Sequence, residues 1–111
     1  MLQSPNCADE MVFRVVIARP ALEEAHAIVA NLCLLSVAAA EHWLAAFHAV
    51  CASLREFPAR GAVAVESAWV HAEVRQVVLQ RYRILYVVHD ERVTVVHVRH
   101  GAQLPLSPGE W

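Results

Sequence analysis

The sequence predicts a small α+β domain in which a pair of helices packs on an antiparallel sheet. Residues 81–100 carry β-branched and aromatic side chains on both sides of a short polar turn, which is typical of a β-hairpin. Residues 21–57 repeat apolar side chains at helical spacing, and a shorter β-branched run precedes them at residues 12–18. The length of 111 residues suits one domain with a single modest core.

The first half of the chain reads as one strand followed by two helices. The strand, residues 12–18, ends shortly before Pro20, and proline fits the first turn of a helix. The first helix covers residues 21–35 and places Glu23 and Glu24 in its first turn, where the helix dipole favours negative charge.

The second helix follows almost without a loop. Ser36 is a candidate N-cap, and Pro58 stops the helix after Phe57. Its apolar side chains recur on one face of the helix, at Leu44, Phe47, Val50, Cys51 and Leu54. The two helices therefore form a hairpin that presents an apolar side to the sheet.

The second half of the chain adds three strands after an irregular connection at residues 58–71. The strands are residues 73–79, 81–88 and 92–100, with a polar turn at residues 89–91. The element order is then β-αα-βββ, with the helices on one face of the sheet.

Domain boundaries follow from the ends of this pattern. We expect a flexible lead-in at residues 1–10, one folded domain at residues 11–103 and a tail at residues 104–111.

The composition points to a protein partner. Hydrophobic residues make up 58% of the chain and the mean hydropathy is +0.39, more than a small domain needs for its own core. Residues 25–40, the longest uncharged run, are too short and too polar for a membrane span, and residues 1–10 do not resemble a secretory signal, so we expect a cytoplasmic protein. Both faces of the predicted sheet are apolar. Either residues 58–71 or another molecule must therefore cover the face that the helices leave open.

Charge and cysteine content exclude several classes of function. Cys7, Cys33 and Cys51 are odd in number and lack a C-x-x-C spacing, so they suit buried or idle thiols in a reducing compartment. The histidines show no metal-ligand pair, and no metal or other cofactor is expected. The net charge of −2 and the absence of lysine disfavour general binding to polyanions.

The ends of the predicted hairpin form the candidate site. Folding it brings cationic side chains from distant positions to one rim, with Arg81 and Arg83 on the first strand and Arg99 and His100 on the last.

Four stretches of the sequence resemble the RelE/ParE superfamily of bacterial type II toxins. They are FPARG after the second helix, EVR at the start of a strand, RYRILY in the next strand, and V-x-V-x-x-V-R-H-G-A at the end. The resemblance covers residues 13–102. It implies the β-αα-βββ fold and a toxin that is held inactive, in a hetero-oligomer, by a cognate antitoxin of the ParD type or a related one.

Two branches of the superfamily imply different activities. ParE-like members inhibit DNA gyrase by binding and have no catalytic residues. RelE-like members are ribosome-dependent endoribonucleases that cut messenger RNA. In that branch Arg83 matches an arginine near the scissile phosphate, Arg99 could bind phosphate, and His100 could act as acid or base. We favour the ParE-like interpretation because the chain lacks the lysines and the C-terminal tyrosine of many nuclease members.

The resemblance and the pattern together suggest two sets of site residues. The predicted target-binding set is Arg75, Arg81, Arg83, Arg99 and His100. The predicted antitoxin-binding set is Leu22, Val29, Trp43, Phe47, Trp69 and Leu85. Structural alternatives stay open: Arg83 could pair with Glu73 or Glu66, Trp43 and Phe47 could be core residues, and Trp69 could cap the open sheet face.

Overall fold

The computed structural model describes residues 13–70 and 72–111, in which two helices pack on a five-stranded sheet. The elements are β1 (Arg14–Ile17), α1 (Arg19–Leu35), α2 (Val37–Ser53), β2 (Ala62–Val63), β3 (Val74–Leu79), β4 (Tyr82–His89) and β5 (Arg92–His100), with single 3₁₀ turns at Val65–Ala68 and Pro108–Glu110. The predicted lead-in and Cys7 lie outside the described residues, as do the start of the first predicted strand and His71.

The sheet has the order β1-β5-β4-β3-β2. The three strands β3, β4 and β5 form the predicted antiparallel hairpins, joined by turns in which Gln80 and Asp90 both have φ of 56°. The α+β class is confirmed, with one difference in detail. β1 pairs in parallel with β5, and Arg14 and Ile17 lie beside Arg92 and Val95. β1 is therefore an outer strand of a mixed sheet.

Helix α1 begins at Arg19 rather than at Ala21, with Pro20 in its first turn. The earlier start moves Glu23 and Glu24 out of the first turn, so the predicted dipole interaction is wrong. Glu24 instead accepts a hydrogen bond of 2.8 Å from the backbone N–H of Val98 in β5. It thereby satisfies a strand N–H beyond the point where β1 has ended.

Helix α2 begins as predicted and ends early. The Ser36 side chain accepts a hydrogen bond of 3.1 Å from the Ala39 N–H, which confirms the N-cap. The helix ends at Ser53 rather than at Phe57. After Ser53 the chain forms tighter turns, in which an N–H donates to the carbonyl three residues earlier. One example is the hydrogen bond of 3.2 Å from the Arg55 N–H to the Ala52 carbonyl.

The main core lies between the helices and one face of the sheet, which we call the helix face. Trp43 and Phe47 are 1% and 2% exposed, and their rings stack with centroids 5.3 Å apart. Trp43 also meets the edge of Tyr82 at 5.6 Å, and Tyr86 is fully buried. Tyr82 and Tyr86 thus both lie on the helix face of β4.

A second, smaller core covers the opposite face of the sheet, which we call the outer face. It contains the buried side chains of Ala64, Val74, Leu85 and Leu106. The segment that was predicted to be irregular supplies β2, the turn Val65–Ala68 and Ala64. The C-terminal tail supplies Leu106, which is 1% exposed. The predicted loop therefore does cover this face, and the tail joins it.

Candidate functional site

Arg83 is the second residue of β4 and lies on the outer face, opposite Arg99 of β5. Its Nη2 is 2.6 Å from Oε1 of Glu66, and its Nη1 is 3.1 Å from Oε2 of the same carboxylate. Its Nε donates to Oε1 of Gln76 at 2.9 Å. Of the two carboxylates considered from the sequence, Glu66 is the partner. The guanidinium is thus held on three sides by the protein itself.

Glu66 is the centre of this arrangement and is fully buried. Burial alone would raise the pKa of its carboxyl. The hydrogen bonds from Arg83 and from the Leu106 N–H, together with the charge of Arg83, outweigh burial and lower the pKa below its ordinary value. The Leu106 N–H donates at 3.0 Å. The ionised carboxylate therefore links the 3₁₀ turn, β4 and the tail.

Arg99 and His100 point to opposite faces of the sheet. Nη2 of Arg99 donates to the Leu104 carbonyl at 3.0 Å, so Arg99 holds the tail. His100 stands on the helix face, where its ring meets the edge of Tyr82 at 5.3 Å and its Nδ1 accepts a hydrogen bond of 3.0 Å from the Ala102 N–H. Both residues border a depression of about 300 Å³, and Arg83 does not.

Arg75 and Arg81 complete the predicted target-binding set. Arg75 donates to the Gly61 carbonyl at 2.7 Å and pairs with Glu73 at 3.3 Å, so it also serves a local contact. Arg81 is exposed in the turn between β3 and β4, with no side-chain partner among the described residues. The structure therefore does not bring the five predicted residues together into one site.

An apolar groove of about 390 Å³ runs between the two helices. It is lined by Ile17, Leu22, Ala25, His26, Val29, Ala30, Leu44, Phe47 and His48. Leu22 is 43% exposed, Val29 is half-buried, and Phe47 forms the buried floor. Two of the predicted antitoxin contacts therefore lie on an accessible surface, and a third lies beneath it.

The remaining predicted antitoxin contacts are elsewhere. Trp43 and Leu85 are 1% and 0% exposed, so neither reaches a surface that a partner could touch. Apolar side chains in a helix stripe and in a central strand fill the core first, which is why these two are buried. Trp69 lies with the tail and donates from Nε1 to the Leu106 carbonyl at 2.9 Å. It caps the outer face, one of the two roles considered for it.

The tip of the helical hairpin is an apolar surface that the sequence patterns did not single out. Leu34 and Leu35 are 85% and 84% exposed, and Val37 is 61% exposed. They fall outside the apolar stripes of both helices, in an uncharged stretch. The absence of charged residues from this stretch was the one feature of the sequence that indicated an exposed apolar surface here.

Neither a metal-ligand group nor a membrane-spanning helix is present in the described ranges. Residues 13–70 and 72–111 contain no group of three or more His, Cys, Asp or Glu side chains placed to hold a metal ion. None of the helices in these ranges is long and apolar enough to cross a membrane.

The fold is a small α+β domain with apolar surface that its own elements leave exposed. Its helices present an apolar groove and an apolar tip, and most of its predicted site arginines hold its own segments together. Residues 15–105 match the family described as the ParE toxin of the type II toxin-antitoxin system parDE, and the chain belongs to that family. The protein is therefore a ParE-like toxin, and its partner is an antitoxin.

A solved structure supports the same fold. The chain is similar to a protein of the chromosomal ParDE TA system from P. aeruginosa, with 15% sequence identity and a TM-score of 0.67. The match covers 81% of this chain and 97% of that one. No curated protein matches the sequence. The resemblance to the RelE/ParE superfamily is confirmed, with its ParE-like branch.

Proposed function

We propose that this toxin inhibits DNA gyrase by binding to it, without nuclease chemistry of its own. The observation that supports this proposal is the ion pair between Arg83 and the buried carboxylate of Glu66. In the RelE-like alternative Arg83 would contact the scissile phosphate. Here its guanidinium pairs at 2.6 Å with a carboxylate that is fully buried. A phosphate that drew Arg83 away from Glu66 would break this buried pair, which costs several kcal/mol, about 3–5 in comparable cases.

The other nuclease candidates support the same proposal. Cleavage through the 2′-hydroxyl needs an acid, a base and cations that converge on one phosphate. Arg99 holds the tail on the outer face, and His100 stands on the helix face. With the two arginines on the outer face and the histidine on the helix face, we do not expect these three side chains to converge on one phosphate.

Within residues 13–70 and 72–111, Arg81 is the predicted target-binding arginine whose guanidinium has no side-chain partner. It projects from the exposed turn between β3 and β4, where a large partner has access. We assign it a contact with the target. Arg81→Ala should weaken inhibition of gyrase without lowering the thermal stability of the toxin.

The groove between the helices is the proposed seat of the antitoxin. Its lining is almost entirely apolar, and a groove of this kind receives the apolar face of an amphipathic helix. Leu22→Asp should weaken antitoxin binding, because a charge would be buried at the contact. Val63→Asp is the matched control, since Val63 is 53% exposed in β2 at the far edge of the sheet.

Two assays on the purified toxin test the activity. One measures supercoiling by DNA gyrase, and the other measures cleavage of message on translating ribosomes. We expect loss of supercoiling, restored by the antitoxin, and intact message. Cleaved message with unaffected supercoiling would instead assign the RelE-like activity. Because gyrase works in the bacterial cytoplasm, the proposal places the toxin there.

A further inference from the structure

Three arginines lie together at the end of the sheet opposite the predicted site. Arg14 of β1 and Arg92 of β5 are neighbours in register, and Arg55 follows helix α2. All three are exposed, and none has a salt bridge or side-chain hydrogen bond to another residue in 13–70 or 72–111. A cationic surface that a partner could reach therefore lies here, away from Arg83 and Arg99.

At the same end of the sheet the outer edge of β1 is open, because no further strand of residues 13–70 or 72–111 pairs with it. The N–H groups of Arg14 and Ala18 donate inward to carbonyls of Glu91 and Val95, each at 2.9 Å. Because backbone groups alternate in direction along a strand, the N–H and C=O of Val15 point outward. They have no backbone partner among the described residues. An extended segment could bond to them there.

A surface depression of about 410 Å³ lies directly beside this edge. It is lined by Phe13, Arg14, Val15 and Arg55. The Phe13 N–H donates to the Arg55 carbonyl at 2.8 Å, which closes one end of the open edge and fixes Arg55 next to it. A chain lying in the depression would thus run between two guanidinium groups.

The charged side chains around the two depressions indicate what kind of segment could bind there. A second depression of about 360 Å³ shares Arg14 and adds Arg92, together with His89, Asp90 and Glu91 of the adjacent turn. The Asp90 carboxylate lies 3.2 Å from the His89 ring. Three arginines outnumber the two carboxylates, so the surface favours an acidic segment.

We propose that the open edge of β1 receives an extended acidic segment of the antitoxin, which adds a strand to the sheet. Its backbone bonds to Val15, and its carboxylates pair with Arg14 and Arg55. The inference rests on the proposed seat of the antitoxin between the helices. Ile17 ends β1 and also lines the apolar groove, so the groove and the strand edge meet at this residue.

A second copy of the toxin fits this edge less well. Antiparallel pairing of two β1 strands would bring both copies of Arg14 and of Arg55 to one short strand pair. Like charges at such separations repel. The arginines that favour an acidic strand therefore also discourage self-association.

Amide hydrogen exchange at Val15 tests the added strand. The experiment compares the full-length toxin alone with its complex with its cognate antitoxin. We expect the Val15 N–H to exchange at least about tenfold more slowly in the complex, since it gains a backbone hydrogen bond. Unchanged exchange in a complex that does form would overturn the strand addition and leave the groove proposal standing. If no complex forms, both fail.

Charge reversal tests the role of the arginines. Arg14→Glu and Arg55→Glu should each weaken antitoxin binding by about tenfold, as loss of one charged hydrogen bond does, and the effect should shrink at high salt. Arg81→Glu, at the other end of the sheet, is the charge-matched control and should leave this affinity unchanged. An equal loss in the control, or Val15 protection that grows with toxin concentration without antitoxin, would overturn the proposal.

Discussion

Replacement of Arg83 by alanine should destabilise the toxin far more than an ordinary surface change. The substitution removes both hydrogen bonds to Glu66, at 2.6 and 3.1 Å, and leaves that carboxylate fully buried with only the Leu106 N–H near it. Breaking a buried pair in this way costs about 3–5 kcal/mol. Small domains are stable by only about 5–15 kcal/mol. For a chain of this size we expect the melting temperature to fall by at least about 12 °C.

The pH dependence of the variant distinguishes this mechanism from simple loss of packing. In the wild type the lowered pKa of Glu66 adds stability above the carboxyl's unfolded pKa, and that stability is lost as the pH falls through the folded pKa. In Arg83→Ala the unpaired carboxylate is penalised while ionised, and protonation relieves the penalty. The difference in melting temperature between the wild type and Arg83→Ala should therefore become smaller as the pH falls from 7 towards about 4.

Thermal melts of both proteins across this pH range are the assay, with Arg99→Ala as the control. Arg99 donates one hydrogen bond to the Leu104 carbonyl, so its removal should cost about 1 kcal/mol with little pH dependence. If Arg83→Ala melts like Arg99→Ala, or its difference from the wild type stays constant with pH, Arg83 is not a structural partner of Glu66. The case against it as a nuclease residue would then fall as well.

Three further outcomes follow from other contacts. Leu106→Ala should lower the free energy of unfolding by about 2–5 kcal/mol in urea titrations, because this tail residue is 1% exposed in the second core; a change under about 1 kcal/mol would mean the tail is not docked. Gly61→Ala should lower the melting temperature, since its Cβ would stand 2.5 Å from the Gln76 carbonyl oxygen; an unchanged melt would contradict that close approach. Burial raises the pKa of the Cys51 thiol to about 11, so a thiol reagent at pH 8 should label exposed Cys33 and spare Cys51, as peptide mass mapping would show.

The helices and hairpins were predictable because their information is local. Helical spacing in α1 and α2 and the β-branched runs of β4 and β5 each specify an element within a few turns or residue pairs. Ser36 as N-cap was readable for the same reason. The ends of the helices were harder to predict, since whether the second helix continues past Ser53 depends on tertiary contacts.

The site was harder to predict because its partners are distant along the chain. No pattern specifies that Glu66, inside an apolar stretch, folds beneath Arg83, although a lone carboxylate in such a stretch is a fair indication of a buried partner. The position of Arg14 beside Arg92 depends on parallel pairing of the first and last strands, which periodicity cannot reveal. Tail docking through Leu106 was missed because proline and glycine nearby indicated only a turn.

The pairing of the first strand with the last has a consequence for newly made toxin. β1 is synthesised before its partner β5, which begins at Arg92, 78 residues after β1 begins at Arg14. Synthesis of the residues between them takes about 4–16 s at usual elongation rates, and contacts between remote segments form slowly even afterwards. Each nascent copy thus passes through an interval in which its sheet lacks an outer strand. Antitoxin already present in the cell has that interval in which to capture the chain before it matures.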